Sequence, residues 1–158
     1  MFRPTIRHEN AHFDGITSAS WTSQGKILTS SRDETCNIWS ENLQNENGMD
    51  HDMAVVSAKS NSLGTMAITS AMDGMIRYWD IETAFNTTSA KAGQTETWTL
   101  DVNAVDSLIA TGTHYGAINV WDFKTLRKRI SKHATSSCSL LCSILTAQQW
   151  PVAVPTDW

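Results

Sequence analysis

The chain has 158 residues, 41% of them hydrophobic, and a net charge of -4, which allows the core of one ordinary domain. The acidic balance argues against direct nucleic-acid binding, because such surfaces draw most of their affinity from Lys and Arg neutralising phosphates. No apolar run approaches the about 20 residues of a membrane span, and the polar start lacks a secretory signal, so a soluble intracellular chain is expected, with Cys36, Cys138 and Cys142 as thiols.

In chain order, short strand-like runs alternate with turn chemistry. Residues 16–21, 26–31 and 35–39 read as three strands, split by Ser23-Gln24-Gly25 and by Arg32-Asp33-Glu34. The pattern returns at 54–60, 65–71 and 75–79, and again at 97–102, 108–113 and 117–121. The third run of each set alternates apolar residues with a face that ends in Trp, as in Cys36 and Ile38 against Asn37 and Trp39. Both faces are apolar enough to be covered, which suits a sheet packed between neighbours. The linkers 41–50 and 81–93, and then 122–132, each have room for an outer strand, giving four strands per unit.

The repeat is defined by Ile38-Trp39-Ser40, Tyr78-Trp79-Asp80 and Val120-Trp121-Asp122, whose tryptophans lie 40 and 42 residues apart. Six residues before each stands a turn pair: Asp33-Glu34, Asp73-Gly74 and Tyr115-Gly116. These intervals resemble WD repeats, which implies an all-β fold, a WD-repeat β-propeller. A closed propeller takes roughly 4 to 8 blades of about 40 residues. The expectation is therefore an open, incomplete array: blades one to three over residues 1–135, and a truncated or aberrant start of a fourth over 136–158.

The WD-repeat resemblance implies a buried network in each blade that joins a loop His, a Ser or Thr, a turn Asp and the strand Trp, whose indole N–H needs an acceptor once buried. On this pattern blade one has His12, Ser31, Asp33 and Trp39, blade two has His51, Asp73 and Trp79 with Ala71 in the hydroxyl position, and blade three has Thr113 and Trp121. Stability is then expected to fall along the chain. Recurrence at the same phase marks these His and Asp residues as structural rather than catalytic.

Trp98-Thr99-Leu100, residues 108–114, Gly116 and Asn119 in the third repeat, with Ala11-His12, Asp14, Ile16, Val55-Val56-Ser57 and Ile76-Arg77, resemble the small WD-repeat subunits of the superkiller complex. That family also serves in the Paf transcription-elongation complex. The resemblance covers residues 8–130. It implies a non-enzymatic scaffold without cofactor or metal, in cytoplasm and nucleus, working with tetratricopeptide-repeat and helicase subunits in exosome-linked mRNA decay and with Paf complex subunits in elongation. A generic adaptor of ubiquitin ligation or chromatin modification is the alternative. An open array also leaves uncovered blade faces and strand edges, so self-association is expected. Partner contacts in WD propellers come from the residue before the turn Asp and from those flanking the first strand's opening hydrophobe. They map to Arg32, Met72 and His114, with Gly15, Thr17, Ala54, Val56, Glu96 and Trp98. Trp98 is the hot-spot candidate, and packing between blades is its structural alternative.

Three motifs compete. His8-Glu9-Asn10-Ala11-His12 spells H-E-x-x-H, which on a helix would hold zinc with Glu9 as general base, but Asn10 and Gly15 are poor helix residues and no third ligand follows. His133, Cys138 and Cys142 are a loose metal-ligand set, and strand-core cysteines explain them better. Lys124, Arg127, Lys128, Arg129 and Lys132 could contact RNA, and a charge row protecting an edge strand is the simpler reading.

Overall fold

The computed structural model describes residues 6–92 and 97–133. Within them the chain forms twelve strands in chain order: β1 (Ile16–Trp21), β2 (Ile27–Ser31), β3 (Thr35–Trp39), β4 (Asn45–Asp50), β5 (Val55–Ser60), β6 (Met66–Ala71), β7 (Met75–Asp80), β8 (Asn86–Lys91), β9 (Thr97–Val102), β10 (Leu108–Thr113), β11 (Ala117–Asp122) and β12 (Lys128–His133). They pair as three four-stranded antiparallel meanders, β1-β2-β3-β4, β5-β6-β7-β8 and β9-β10-β11-β12. The strands match the expected runs to within a residue at each end, the outer strands β4 and β8 fall in the linkers expected to hold them, and β12 runs one residue past its own. Residues 136–158 and Glu96 lie outside the described residues.

The sheets stack as blades because both faces of their middle strands are apolar. Leu28, Ile38 and Met49 of blade one pack with Val55, Ala67, Trp79 and Ile81 of blade two. Ile68, Ile76 and Tyr78 of blade two meet Leu100, Ile109, Trp121 and Phe123 of blade three in the same way. Each Trp face thus closes on the blade before it. Blade one has no earlier blade among the described residues, and there the ring of His8 lies 5.2 Å from Trp39, which is only 3% exposed.

Small hydroxyls hold the inner strands together where no strand pairing crosses. Thr17 Oγ1 donates to the Val55 carbonyl at 2.6 Å and Ser20 Oγ to that of Ala58 at 2.9 Å, while Ser18 Oγ accepts the Ala58 amide. Ser57 Oγ continues the seam to the Leu100 carbonyl. Farther out, Tyr78 donates to the Phe123 carbonyl at 2.5 Å. The bonds from Thr17, Ser18, Ser20 and Ser57 satisfy backbone groups on the inner strands at the interface. Among the described residues the three blades form an open arc.

The turn between the second and third strands of each blade needs a left-handed residue. Blades two and three supply Gly74 at φ 75° and Gly116 at φ 72°, but blade one places Glu34 there at φ 70°. A side chain in this region costs about 1–2 kcal/mol, partly offset by the flexibility glycine adds to the unfolded chain. Glu34→Gly is therefore expected to stabilise the protein by about 0.5–1 kcal/mol, measured by urea unfolding; a loss of stability would contradict this account of the turn.

Candidate docking site

The Trp of each blade decides which hydroxyl serves it. Trp39 stands opposite Ile27 in the ladder, Trp79 opposite Ala67 and Trp121 opposite Ile109. The diagonal neighbour on the same face, two residues on, is within reach of a long side chain. That neighbour is a threonine every time: the indole N–H donates to Thr29 Oγ1 at 2.7 Å, to Thr69 Oγ1 at 2.9 Å and to Thr111 Oγ1 at 3.0 Å. The expected hydroxyl, Ser31 and its counterparts Ala71 and Thr113, sits two residues too far along. Ser31 instead bonds the Asp33 amide and the Asp14 carbonyl, and Thr113 accepts the Ala117 amide. Blade two therefore lacks nothing at Ala71. The signal was present as a constant ten-residue interval from Thr to Trp.

Donor bookkeeping fixes the rest of the chain of bonds. The Asp33 carboxylate and the Met49 carbonyl only accept, so Nδ1 of each ring donates, and in the neutral ring Nε2 takes the threonine hydrogen, at 2.7 Å in His12 and at 2.8 Å in His51. Both histidines then carry their proton on Nδ1. His12 passes it to Asp33, 3.0 Å away, and shares it with Thr35. His51 passes it to the Met49 carbonyl, not to Asp73, which pairs with Arg77 at 2.6 Å. Asp73 leaves the expected network because Arg77, buried on β7, needs its charge; Asp52 is the second acid on that guanidinium.

The electrostatics follow. Burial works against the Asp33 carboxylate, yet hydrogen bonds from the Thr35 hydroxyl, the Phe13 and Thr35 amides and the His12 ring hold its pKa down at about 2. Burial, reinforced by the Arg77 cation, pulls His51 from 6.5 down to about 4. Cys36 is buried in the blade-one core, and burial pushes its thiol far up, so it is an unreactive core residue.

The H-E-x-x-H letters do not build a metal site. Asn10 adopts φ 58°, residues 8–12 are not helical, His8 and His12 both lie against Trp39, and both nitrogens of His12 are bonded within the blade network. Of the basic run, Arg129 pairs with Asp122 and Lys128 lies 5.7 Å over the Trp121 ring, both on the outer strand β12. Cys138 and Cys142 lie outside the described residues.

At the opposite end of the blades from the Thr22–Lys26 turn, five of the nine expected contact residues meet around one open recess of about 360 Å³: Gly15, Thr17, Arg32, Val56 and Trp98, joined by Ile16. The pairing explains why. Ile16 pairs Ser31 while Ser18 pairs Ser30, Val55 pairs Ala71 while Ser57 pairs Ser70, and Thr97 pairs Thr113 while Thr99 pairs Gly112. Thr17, Val56 and Trp98 are thus the extra residues of three bulges at one phase, and a bulge re-aims its side chain out of the ladder. Trp98 is 47% exposed, not packed as core, and stacks on His114 at 5.3 Å. Arg32 and Met72 hold the strand openings through amide bonds to the Gly15 and Ala54 carbonyls, but Met72 and Ala54 do not line the recess.

Three blades of this topology, each locked by the same indole-to-threonine bond, give the chain an all-β, open and incomplete WD-repeat propeller fold. Residues 4–40 and 47–80 match the family model described as WD domain, G-beta repeat. The chain is 29% identical over 139 residues to WD repeat-containing protein SL1-17 of Schistosoma mansoni, covering 81% of this chain and 46% of that protein. It is 25% identical over 129 residues to WD repeat-containing protein VIP3 of Arabidopsis thaliana, covering 75% and 40%. The chain spans less than half the length of these curated relatives. The solved Structure of U3-55K shares the fold at a TM-score of 0.72 and 14% identity, over 78% of this chain and 40% of that one.

Two measurements test the network. Thr69→Val leaves the buried Trp79 N–H without an acceptor and is expected to cost about 1–3 kcal/mol by chemical denaturation, whereas Ser31→Ala, which touches no indole, should cost less; the reverse order would refute the assignment. For pH, the unfolded chain protonates His51 near 6.5 and the fold resists this until about 4. The contribution is full above 6.5 and is lost as pH falls through about 4. The melting temperature should therefore drop across that window, and His51→Gln should flatten the drop.

Proposed function

We propose that this chain is a non-enzymatic docking scaffold that presents the recess at Arg32 and Trp98 to protein partners, in cytoplasm and nucleus. The observation that carries the reading is the repetition of the inner-strand bulge. Three blades spend one residue each, at the same phase, to turn Thr17, Val56 and Trp98 out of their ladders towards a common opening. A one-off bulge is a local irregularity, whereas a repeated one builds a face. That face offers an aromatic and an Arg, the residue types in which interface energy concentrates.

The third-repeat resemblance supports superkiller and Paf assemblies as the setting, with a tetratricopeptide-repeat subunit as the partner to try first. The expected outcome is capture of that subunit by the purified chain in a pull-down, lost or reduced at least about tenfold in Trp98→Ala, a hot-spot-sized effect. Leu63→Ala, at an exposed turn on the opposite end of the blades, should leave capture intact. Equal capture by both variants would show that the partner docks elsewhere, and capture by neither the parent chain nor its variants would remove this partner.

A further inference from the structure

The recess has a charge preference written into it. Among the described residues, Arg7, Lys26, Lys59, Arg77 and Arg129 each pair with a carboxylate. Arg32, on the rim, is in none of these pairs, although the chain carries a net charge of -4. The acid beside it in the chain and the one across the strand opening point their bonds elsewhere: Asp33 is held by His12, Thr35 and Phe13, and Asp14 accepts the Gly15 amide. A guanidinium presents a planar fork that matches a carboxylate with two parallel bonds. Beside it the recess wall is apolar, with Ile16 52% exposed, Val56, and Trp98 braced by the His114 ring.

We infer that the recess takes a short linear segment of a partner protein in which an Asp or Glu stands next to an aromatic or large aliphatic residue. The carboxylate sits on Arg32 and the apolar side chain lodges against Val56, Ile16 and Trp98. This rests on the docking reading above and adds the chemistry of the occupant. A volume of about 360 Å³ lies at the small end of the roughly 300–1,000 Å³ of ligand pockets, which suits one or two side chains rather than the flank of a folded domain. Gly15 keeps the mouth clear: a Cβ built there meets nothing within 4 Å. A side chain added there therefore starts into open space at the edge of the recess.

The test uses the full chain and two fluorescein-labelled, end-blocked peptides that are identical except for Glu or Lys beside a Phe, followed by fluorescence anisotropy. The Glu peptide is expected to bind about fivefold tighter or better, with affinity falling as salt rises. Arg32→Glu should invert the preference, and Gly15→Trp should abolish binding of both peptides while the thermal melt stays unchanged. Equal binding of the two peptides, no binding of either at millimolar concentration, or a preference that survives Arg32→Glu each overturns the inference. The same variants separate it from the docking reading. Partner capture lost in Gly15→Trp but untouched by Arg32→Glu keeps the docking face and removes the acidic occupant, whereas capture untouched by both removes the docking face.

Discussion

A buried indole N–H with no route to water sets the frame of this protein. It has one hydrogen and no lone pair to offer, so it must find an acceptor inside, and leaving it unmet costs about 1–3 kcal/mol. Thr29, Thr69 and Thr111 supply that acceptor at one diagonal step in each ladder. The bond therefore does more than add stability. A slip of one residue between the second and third strands would carry the threonine to the other face of the sheet, so the pair also selects the register. With the register set, Thr29 and Thr69 also lie within hydrogen-bond reach of His12 and His51.

Register in turn decides what each blade shows its neighbour. The Trp faces of blades two and three close on the apolar faces of the blades before them, and the hydroxyls of Thr17, Ser18, Ser20 and Ser57 meet backbone groups across the seams. Stacking by apolar faces alone is non-directional, whereas hydrogen bonds from short side chains fix how one inner strand sits against the next. The recess depends on this alignment, because its wall is assembled from two sides of two seams: Thr17 from the first blade, Val56 from the second and Trp98 from the third. None of the three blades could make it alone.

Much of this was legible in the sequence because strand and turn chemistry repeat locally. The runs ending in Trp39, Trp79 and Trp121, the turns at Gly25, Gly74 and Gly116, and the linkers with room for an outer strand are all short-range signals, and the strands formed where they were read. The network hydroxyl was misplaced because period-two alternation puts residues 29 and 31 on the same face and cannot choose between them. Only the pairing of Trp39 with Ile27 does so. Asp73 was misassigned for a similar reason, since Arg77 is its neighbour across a turn and outbids a neutral histidine. The left-handed Glu34 was hidden by its side chain, which gives no hint of the glycine geometry it adopts. The bulges were invisible as such, and Thr17, Val56 and Trp98 entered the reading only through the contact positions that the WD-repeat resemblance implies.

The bulges also separate two kinds of demand on the sequence. Residues inside the ladder answer to both faces of a sheet and to a neighbouring blade, and their side chains are constrained on every side. The extra residue of each inner strand stands outside the ladder, although Thr17 still ties its blade to the next through the Val55 carbonyl, and the three blades fill the position with a hydroxyl, a small aliphatic and an indole without any change in pairing. Each blade thus carries one letter that differs while the pairing around it stays the same. Three such letters side by side let a common frame spell different surfaces, so partner choice can drift without asking the fold to move.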